Sequence, residues 1–551
     1  MFVSIVFNTE YNHISYRIRW YLKNLLHCKE NGWALITHEY IKNNFKLLQD
    51  AVDERFFRDF EMRRFSLDEV QDVEQYYVPD KIFEDKEKQC GSRTEMLLST
   101  ANGDFAELES FFRETLKKIR ENNKGEKIEG VFCSLECFGC IRKVCREENI
   151  PLFSYSFSAI RKPHGYRQTL YFAHPDGQIW SSHDAESRFL QFNKEKCELP
   201  VFSNREILAI IGKERNLAQL QLIDHNPQFE LARCNDLGAI LPQSFVDTHY
   251  IDDDLMYEGD IAFGKDSAVV RTHAVQLDYM QVDRSEMRND PSSYILSCKR
   301  LAAVHSQIML KALLWKRAVI SPKYTMGFSF LCNSDYKSTK VADIKGLNFY
   351  VFCCLIPGDL MFSDSYWKWR MTNPTETEIY KKHLDFYIEK LNLPKSILTE
   401  KDEAVRLRHI LESCNCDDEV INDIIEDNQN FDVDYYAASS KFMIDGKPHW
   451  RLNKKTEEGT LKCTMLLPNI DNKEFEFYPL DDVAGFARMI SVTANGKMLE
   501  LDDTKSSFKF MPKTKGYYSF KLDDTSSKAF KIECTWEYKK VFDYLNLNTL
   551  N

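Results

Sequence analysis

The chain has no long apolar run, no excess of basic residues and no low-complexity linker. It has 551 residues, with 73 Lys and Arg against 84 Asp and Glu, for a formal net charge of −11. Proteins that follow nucleic-acid backbones carry a basic surface, so this balance argues against nucleic acid as a main partner. A membrane-spanning helix needs about 18–20 consecutive apolar residues, and no window of the sequence reaches that length.

Two marks of a secreted protein are also missing. The apolar start carries no basic residues and continues directly into Asn8-Thr9-Glu10, whereas a signal peptide has a basic start and a small-residue cleavage site. The 16 cysteines are irregularly spaced in a long chain, which indicates reduced thiols rather than a disulfide framework. We therefore expect a cytoplasmic protein.

The length and the order of predicted elements indicate several domains, because single cores stop growing near about 250–300 residues. Apolar strand-like runs alternate with helical stretches in 1–232 and again in 233–395, which is the rhythm of parallel βαβ units. Residues 396–435 form a predicted helical bridge. From 436 to 551, short alternating runs between turn signals predict an antiparallel β-sandwich. The predicted fold is α/β, with two Rossmann-like domains followed by this sandwich.

Individual elements follow from the same patterns. In the first domain we predict strands at 2–7, 33–37, 128–132 and 151–155, and helices at 14–26, 66–77, 105–121 and 138–148. In the second we predict strands at 238–241, 267–271, 301–304 and 318–321, and helices at 307–314 and 375–391. Thr375 is the expected N-cap of the last helix.

Polar residues follow two successive predicted strands of the second domain. Arg271 and His273 follow one strand, and Ser306 and Gln307 follow the next, where a helix begins. Ligands of open parallel sheets bind at the carboxyl ends of the strands, and a helix start offers N–H groups to phosphate. The pattern predicts a nucleotide-phosphate site. The alternative is that His273 and His305 lie in loops and that Ser306 only caps the helix.

These segments resemble bacterial GT-B glycosyltransferases of capsule and lipopolysaccharide synthesis, including Kdo-transferase-like and sialyltransferase-like groups. Pro242-Gln243, Arg271-x-His273 and residues 304–320 are similar to that family's Pro-x-Gln strand end, basic-x-His-Pro element and Ser-containing strand–helix turn. The chain departs from the family at Ala274, where the family has proline, and at Lys311, where it has an acidic residue.

The resemblance implies a sugar transfer from a nucleotide sugar to an oligosaccharide or lipid-linked glycan, without a metal or another cofactor. It implies that the donor lies on the second domain and the acceptor on the first, and that the last helices cross back to the first domain. Association with the inner face of the membrane stays open. The donor-binding residues would be Gln243, Arg271, His273, Ser306 and Gln307.

An inverting transfer needs a base on the first domain, because the attacking hydroxyl must lose its proton. The loop after the first strand offers Glu10 and His13, and the loop after the 128–132 strand offers Glu136. Arg161 and His164 follow the next strand and would steady the acceptor or the donor phosphate. The alternative for each is a solvated loop residue, and a retaining reaction would need no such base.

Other motifs support rival functions. Cys133, Cys137 and Cys140 have the C-x3-C-x2-C spacing that holds an iron–sulfur cluster in radical SAM enzymes, although they also fit a buried helix face. The acidic run 252–254 is similar to the Asp-x-Asp metal motif but fits an acidic loop better. Tyr366, Trp367 and Trp369 would either pack or lie at a membrane interface. A non-catalytic carbohydrate-binding scaffold is the remaining alternative.

Overall fold

The computed structural model places the chain in three β-sheets with helices around two of them. It describes residues 1–7, 14–43, 63–91, 96, 99–100, 103–134, 138–157, 170–174, 182–212, 229–232, 268–271, 300–303, 308–314, 316–321, 327–335, 337–413, 418, 421–422, 425, 436–444, 447–455, 460–468, 474–478, 485–499, 509–510, 518–521 and 529–540.

The first sheet has a Rossmann-like parallel centre. Its parallel strands are β1 (Phe2–Val6), β2 (Ala34–His38), β3 (Gln75–Val78), β4 (Gly130–Ser134) and β5 (Leu152–Phe157). They lie in the order β3-β2-β1-β4-β5, so the direction of strand addition reverses between β1 and β4. Antiparallel strands β6 (Leu170–His174) and β11 (Leu355–Pro357) extend the sheet beyond β5. An open sheet of this kind binds ligands beside the reversal point.

Helices cover both faces of this sheet, because successive strand residues point to opposite sides. Phe2 and Phe132 belong to one buried cluster, whereas Val3 and Val131 belong to the other. The helices here are α1 (Ile14–Asn31), α2 (Glu39–Asn43), α3 (Asp80–Cys90), α4 (Ala106–Asn122) and α5 (Gly139–Glu147). Side chains of α1 line the first cluster, and those of α3, α4 and α5 line the second.

The second sheet is parallel and smaller. It consists of β7 (Phe229–Ala232), β8 (Ala268–Arg271), β9 (Arg300–Ala303) and β10 (Ala318–Ile320), in the order β10-β9-β7-β8. The surrounding helices are α6 (Ser182–Lys194), α7 (Asn204–Gly212), α8 (Ile308–Leu314), α9 (Ile344–Phe349), α12 (Glu376–Leu391) and α13 (Glu403–Ser413). Between α9 and α12 in the chain, α10 (Gly358–Met361) and α11 (Asp364–Arg370) place buried side chains in a core of the first sheet instead. Side chains of α6 to α9, α12 and α13 pack with β9 and β10 in one core.

The chain returns from this second core to the first sheet. A π-helix, Tyr350–Cys354, follows α9 and leads into β11, which pairs with β6. After β11 in the chain, Trp367 of α11 lies against Phe132 and Phe153, with ring centroids 4.9 and 4.6 Å away. The predicted crossing of the late helices to the first domain is therefore observed.

The last sheet is antiparallel. Its strands are β12 (Tyr436–Ile444), β13 (Lys447–Lys455), β14 (Leu461–Pro468), β15 (Glu474–Tyr478), β16 (Gly485–Ala494), β17 (Lys497–Met498), β18 (Lys509–Phe510), β19 (Tyr518–Lys521) and β20 (Ala529–Lys540). Asn495 and Gly496 join β16 to β17 with φ of 48° and 79°, as a tight hairpin turn requires. The antiparallel pairing was predicted, but all nine strands belong to one connected sheet rather than to two.

The structure also corrects some element predictions. Residues 66–77 are not one helix: a 3₁₀ turn, Leu67–Val70, precedes the edge strand β3, where two tyrosines and a valine pair with β2. The predicted strand at 238–241 lies outside the described residues. The domain boundaries stay predictions. Three elements within 1–232 nevertheless belong to the second unit: β7 pairs with β8 and β9, and side chains of α6 and α7 lie in the second core. Residues of the predicted bridge, among them Leu407 and Ile410, lie in the same core.

Candidate functional site

In the second sheet, β8 and β9 end at the same position along the strand direction. Arg271, the last residue of β8, is the register partner of Ala232 in β7, and Ala232 is also the partner of Ala303, the last residue of β9. Because β7 lies between the two strands, the backbones of Arg271 and Ala303 are about 10 Å apart at the same edge. The segment that leads to α8 therefore starts level with Arg271.

Helix α8 is held against the sheet by its apolar residues. Met309, Leu310 and Leu313 are all buried in the second core, and β10 follows directly after the helix. This arrangement is a β9–α8–β10 unit with parallel strands, which directs the start of the helix toward the carboxyl edge. The sequence pattern predicted this strand–helix–strand unit, and the structure confirms it.

Four of the predicted donor residues lie outside the described part of the chain: Gln243, His273, Ser306 and Gln307. For Arg271 the structure describes the backbone. The acidic run 252–254 lies outside the described part as well. The grouping of these side chains around a phosphate therefore stays a prediction, with the position of Arg271 at the strand end as its observed part.

The first sheet presents its own edge at the reversal point between β1 and β4. Ile5 is the register partner of Cys133, so the two strands end side by side at Val6 and Ser134. The predicted bases Glu10 and His13 follow β1 in the chain, and Glu136 follows β4. All three lie outside the described residues, as do Arg161 and His164 after β5.

The described residues at this edge include a titratable pair that sequence reasoning did not single out. His38 ends β2, and its Nδ1 lies 3.7 Å from Oδ1 of Asp80, at the start of α3. The rings of Phe7 and Phe83 lie 5.5 and 4.6 Å from the imidazole. Burial raises the pKa of Asp80, and a backbone hydrogen bond from Tyr40 opposes that rise. The strand-end rule that singled out Arg271 also applies to His38.

The packing of the cysteines argues against the iron–sulfur alternative. Cys133 and Cys140 are both fully buried among the apolar residues that α4 and α5 place on the sheet, and Cys145 lies with them. Small apolar packing explains these thiols without a cluster. Cys137 lies outside the described residues. Within the described part of the chain, no three His, Cys, Asp or Glu side chains are grouped so that they could hold a metal ion.

Residues 350–370 return from the second core to the first sheet and are called the crossing segment below. Buried polar contacts join this crossing segment to the second core. The Tyr366 hydroxyl lies 2.8 Å from His383 Nε2, and His383 Nδ1 lies 2.7 Å from the carbonyl oxygen of Phe352. Because that carbonyl can only accept, Nδ1 donates and Nε2 accepts from the tyrosine. Between two helices of the second core, the Arg188 guanidinium of α6 binds both carboxylate oxygens of Glu376 in α12, at 2.8 and 2.9 Å.

The aromatic residues of this segment pack inside the protein. Tyr366 and Trp367 are each 2% exposed, so the membrane-interface interpretation of these two rings is wrong. The Trp367 indole N–H donates to the carbonyl of Met361 at 2.7 Å, which satisfies its polar atom inside the core. No helix within the described ranges is both long enough and apolar enough to cross a bilayer.

Comparisons with known proteins give distant likenesses only. No protein-family model matches the sequence, and no curated protein matches it. The Thermosulfurimonas dismutans KpsC β-Kdo 2,4 transferase structure is 14% identical, with 35% of this chain and 68% of that chain covered and a TM-score of 0.22. The corresponding β-Kdo 2,7 transferase is 10% identical, with 43% and 79% covered and a TM-score of 0.24.

A third solved structure is the Methanocaldococcus jannaschii UDP-GlcNAc 2-epimerase in complex with UDP-GlcNAc and UDP. It is 9% identical, with 60% of this chain and 86% of that chain covered and a TM-score of 0.25. These three neighbours are described as sugar transferases or a nucleotide-sugar epimerase. At such TM-scores they carry no argument about the activity of this chain.

Proposed function

We propose that the protein is a nucleotide-sugar-dependent glycosyltransferase of the two-Rossmann type, which transfers a sugar to a surface polysaccharide such as capsule or O-antigen. The observation that supports this most directly is the level edge of the second sheet, where Arg271 and the segment after Ala303 flank β7. A cation at one strand end and a helix start at another suit the phosphates of a nucleotide donor.

In this proposal the donor lies against Gln243, Arg271, His273, Ser306 and Gln307. Arg271 and His273 stabilise the negative charge that develops on the leaving phosphate, and Ser306 and Gln307 donate hydrogen bonds beside the helix start. The acceptor lies on the first sheet. If the transfer inverts the sugar, Glu10, His13 or Glu136 takes the proton of the attacking hydroxyl, with Arg161 and His164 steadying the charged groups.

The test begins with binding. Purified protein is titrated calorimetrically with CMP-, UDP- and GDP-sugars to find the donor, and the best ligand is then titrated into Arg271→Ala/His273→Ala. Loss of two charge-assisted contacts should weaken binding by at least about tenfold, because a hydrogen bond to a charged group contributes about 1.5–3 kcal/mol. Arg146→Ala is the matched control, since Arg146 is an exposed arginine on α5. Circular dichroism checks that each variant is folded.

Turnover then separates an enzyme from a binding scaffold. The donor is incubated with an oligosaccharide acceptor, and the released nucleotide and the extended glycan are measured by mass spectrometry. Transfer by the wild type that is lost in the double variant and kept in Arg146→Ala supports the proposal. Undiminished transfer by the double variant contradicts the assigned donor site, and tight sugar binding without any transfer supports the scaffold instead.

A further inference from the structure

Two cysteines face each other across the middle of the antiparallel sheet. β14 and β20 pair antiparallel with Cys463 directly opposite Cys534, and neither sulfur is in a disulfide. Among the described strand pairings, no other two cysteines are register partners. Both residues are fully buried, on the same face as Trp536, whereas Lys462 and Glu533 form an ion pair at 2.6 Å from neighbouring positions that point the other way.

The spacing of such a pair suits a covalent bond. Directly opposed residues of antiparallel strands have Cα atoms about 4.5 or 5.5 Å apart, depending on the hydrogen-bonding class of the site. Disulfides join residues whose Cα atoms are about 4.4–6.8 Å apart, so either class of site fits. Their Cβ atoms, about 4.5–5.5 Å apart in a sheet, must approach by up to about 1 Å.

We propose that Cys463 and Cys534 form a cross-strand disulfide when the protein meets a small-molecule disulfide such as oxidised glutathione. One thiolate attacks a glutathione sulfur and releases glutathione thiol, and the second attacks the mixed disulfide and releases another. The two cysteines lose two electrons and two protons, which one glutathione disulfide takes up to become two thiols. The product joins β14 to β20 within the central part of the sheet order.

Burial sets the conditions under which this happens. Burial, and then the neighbouring Cys463, raise the pKa of Cys534 well above its ordinary value, so the folded sheet holds a thiol and not the reactive thiolate. Oxidation therefore requires that β14 and β20 separate, or that the bond forms while the sheet folds. For the same reason, the finished disulfide is sheltered from reducing thiols once the sheet has closed.

The test maps the bond directly. Trypsin cleaves after Lys462, Lys473, Lys531 and Lys539, and so releases residues 463–473 and 532–539, each with one cysteine. The full chain is unfolded, reduced and refolded with oxidised glutathione, then alkylated, digested and analysed by mass spectrometry. We expect the linked pair of peptides as the main product. We also expect the urea midpoint of the antiparallel sheet to rise by about 1–2 M over the reduced protein.

A second arm needs no refolding. Native reduced protein is incubated with oxidised glutathione, with and without urea below the unfolding midpoint, and the linked peptides should form at least about tenfold faster with urea because the strands open more often. Cys463→Ala and Cys534→Ala should each abolish the linked pair and the midpoint shift. Cys133→Ala, which removes a buried strand cysteine opposite Ser154, should keep both. The proposal is overturned if both peptides are recovered alkylated, or joined to other cysteines, after the refolding or after the incubation with urea.

Discussion

Acidification should destabilise the protein through His383, a histidine buried between the crossing segment and the second core. Burial is the main cause that lowers its pKa to about 3, and the charge of Arg370 adds to it. Its two ring nitrogens bond to Tyr366 and to the carbonyl of Phe352, as a neutral imidazole requires. The folded protein therefore keeps His383 neutral at a pH where the unfolded chain protonates it.

The size of the effect follows from proton linkage. Between the unfolded pKa of about 6.5 and the folded value of about 3, the unfolded state binds the extra proton, so the free energy of unfolding decreases as the pH falls. Above about pH 6.5 His383 is neutral in both the folded and the unfolded state, so its burial subtracts nothing from the free energy of unfolding. Each pH unit below that costs up to about 1.4 kcal/mol, so about 2 kcal/mol is lost at pH 5.

Urea denaturation at pH 8 and pH 5 measures this loss, with tryptophan fluorescence and circular dichroism as paired probes. Exposed carboxylates also respond to acid, so the wild type is compared with His383→Gln. The variant should lose about 2 kcal/mol less than the wild type between the two pH values. His409→Gln, in which a more exposed histidine of α13 is removed, should behave like the wild type. Equal pH losses in wild type and His383→Gln would refute the reasoning.

Two further substitutions test the second core. Glu206→Gln removes the carboxylate that binds the buried Arg406 guanidinium at 2.7 and 3.0 Å, and it should cost about 3–5 kcal/mol in urea denaturation. Lys117→Gln, from an exposed ion pair with Glu121, should stay within about 0.5 kcal/mol, and an equally small loss for Glu206→Gln would contradict the role of burial. Gly346→Ala places a Cβ 2.7 Å from Leu331 Cδ2 and should cost about 1–2 kcal/mol, measured in the same way. Adding Leu331→Ala should make the combined loss smaller than the sum of the two single losses, and simple additivity would show that the contact is not the cause.

Local sequence pattern was sufficient for most of the parallel elements. Runs such as 2–7 and 318–321 read as strands because they are buried on both faces of a sheet. The Thr375 N-cap prediction is confirmed by a full capping box with Glu378. The helix predicted at 66–77 failed because Gln75–Val78 gains its partner, β2, from a segment about forty residues earlier. An edge strand of four residues has too short a pattern to be read without that partner.

In the candidate site, too, some features follow from local sequence and others depend on residues that are distant in the chain. The strand-end rule located Arg271 and the start of α8, and the pairing with β7 then put them at one level. The same rule fits His38 at the end of β2, but its neighbour Asp80 lies 42 residues further along the chain, and only the fold brings the two side chains to 3.7 Å. Residues such as Glu10, Glu136 and Ser306 stay predictions that functional assays must test.

Periodicity, which depends on residues a few positions apart, determined most of the parallel strands, the helix starts and the change from parallel to antiparallel pairing. Tertiary structure decided the order of the strands, the return of Trp367 to the first sheet and the meeting of Cys463 with Cys534. These features depend on the register between segments that are far apart in the chain. A register shift of one residue turns every side chain of a strand to the other face, so no local pattern specifies such contacts.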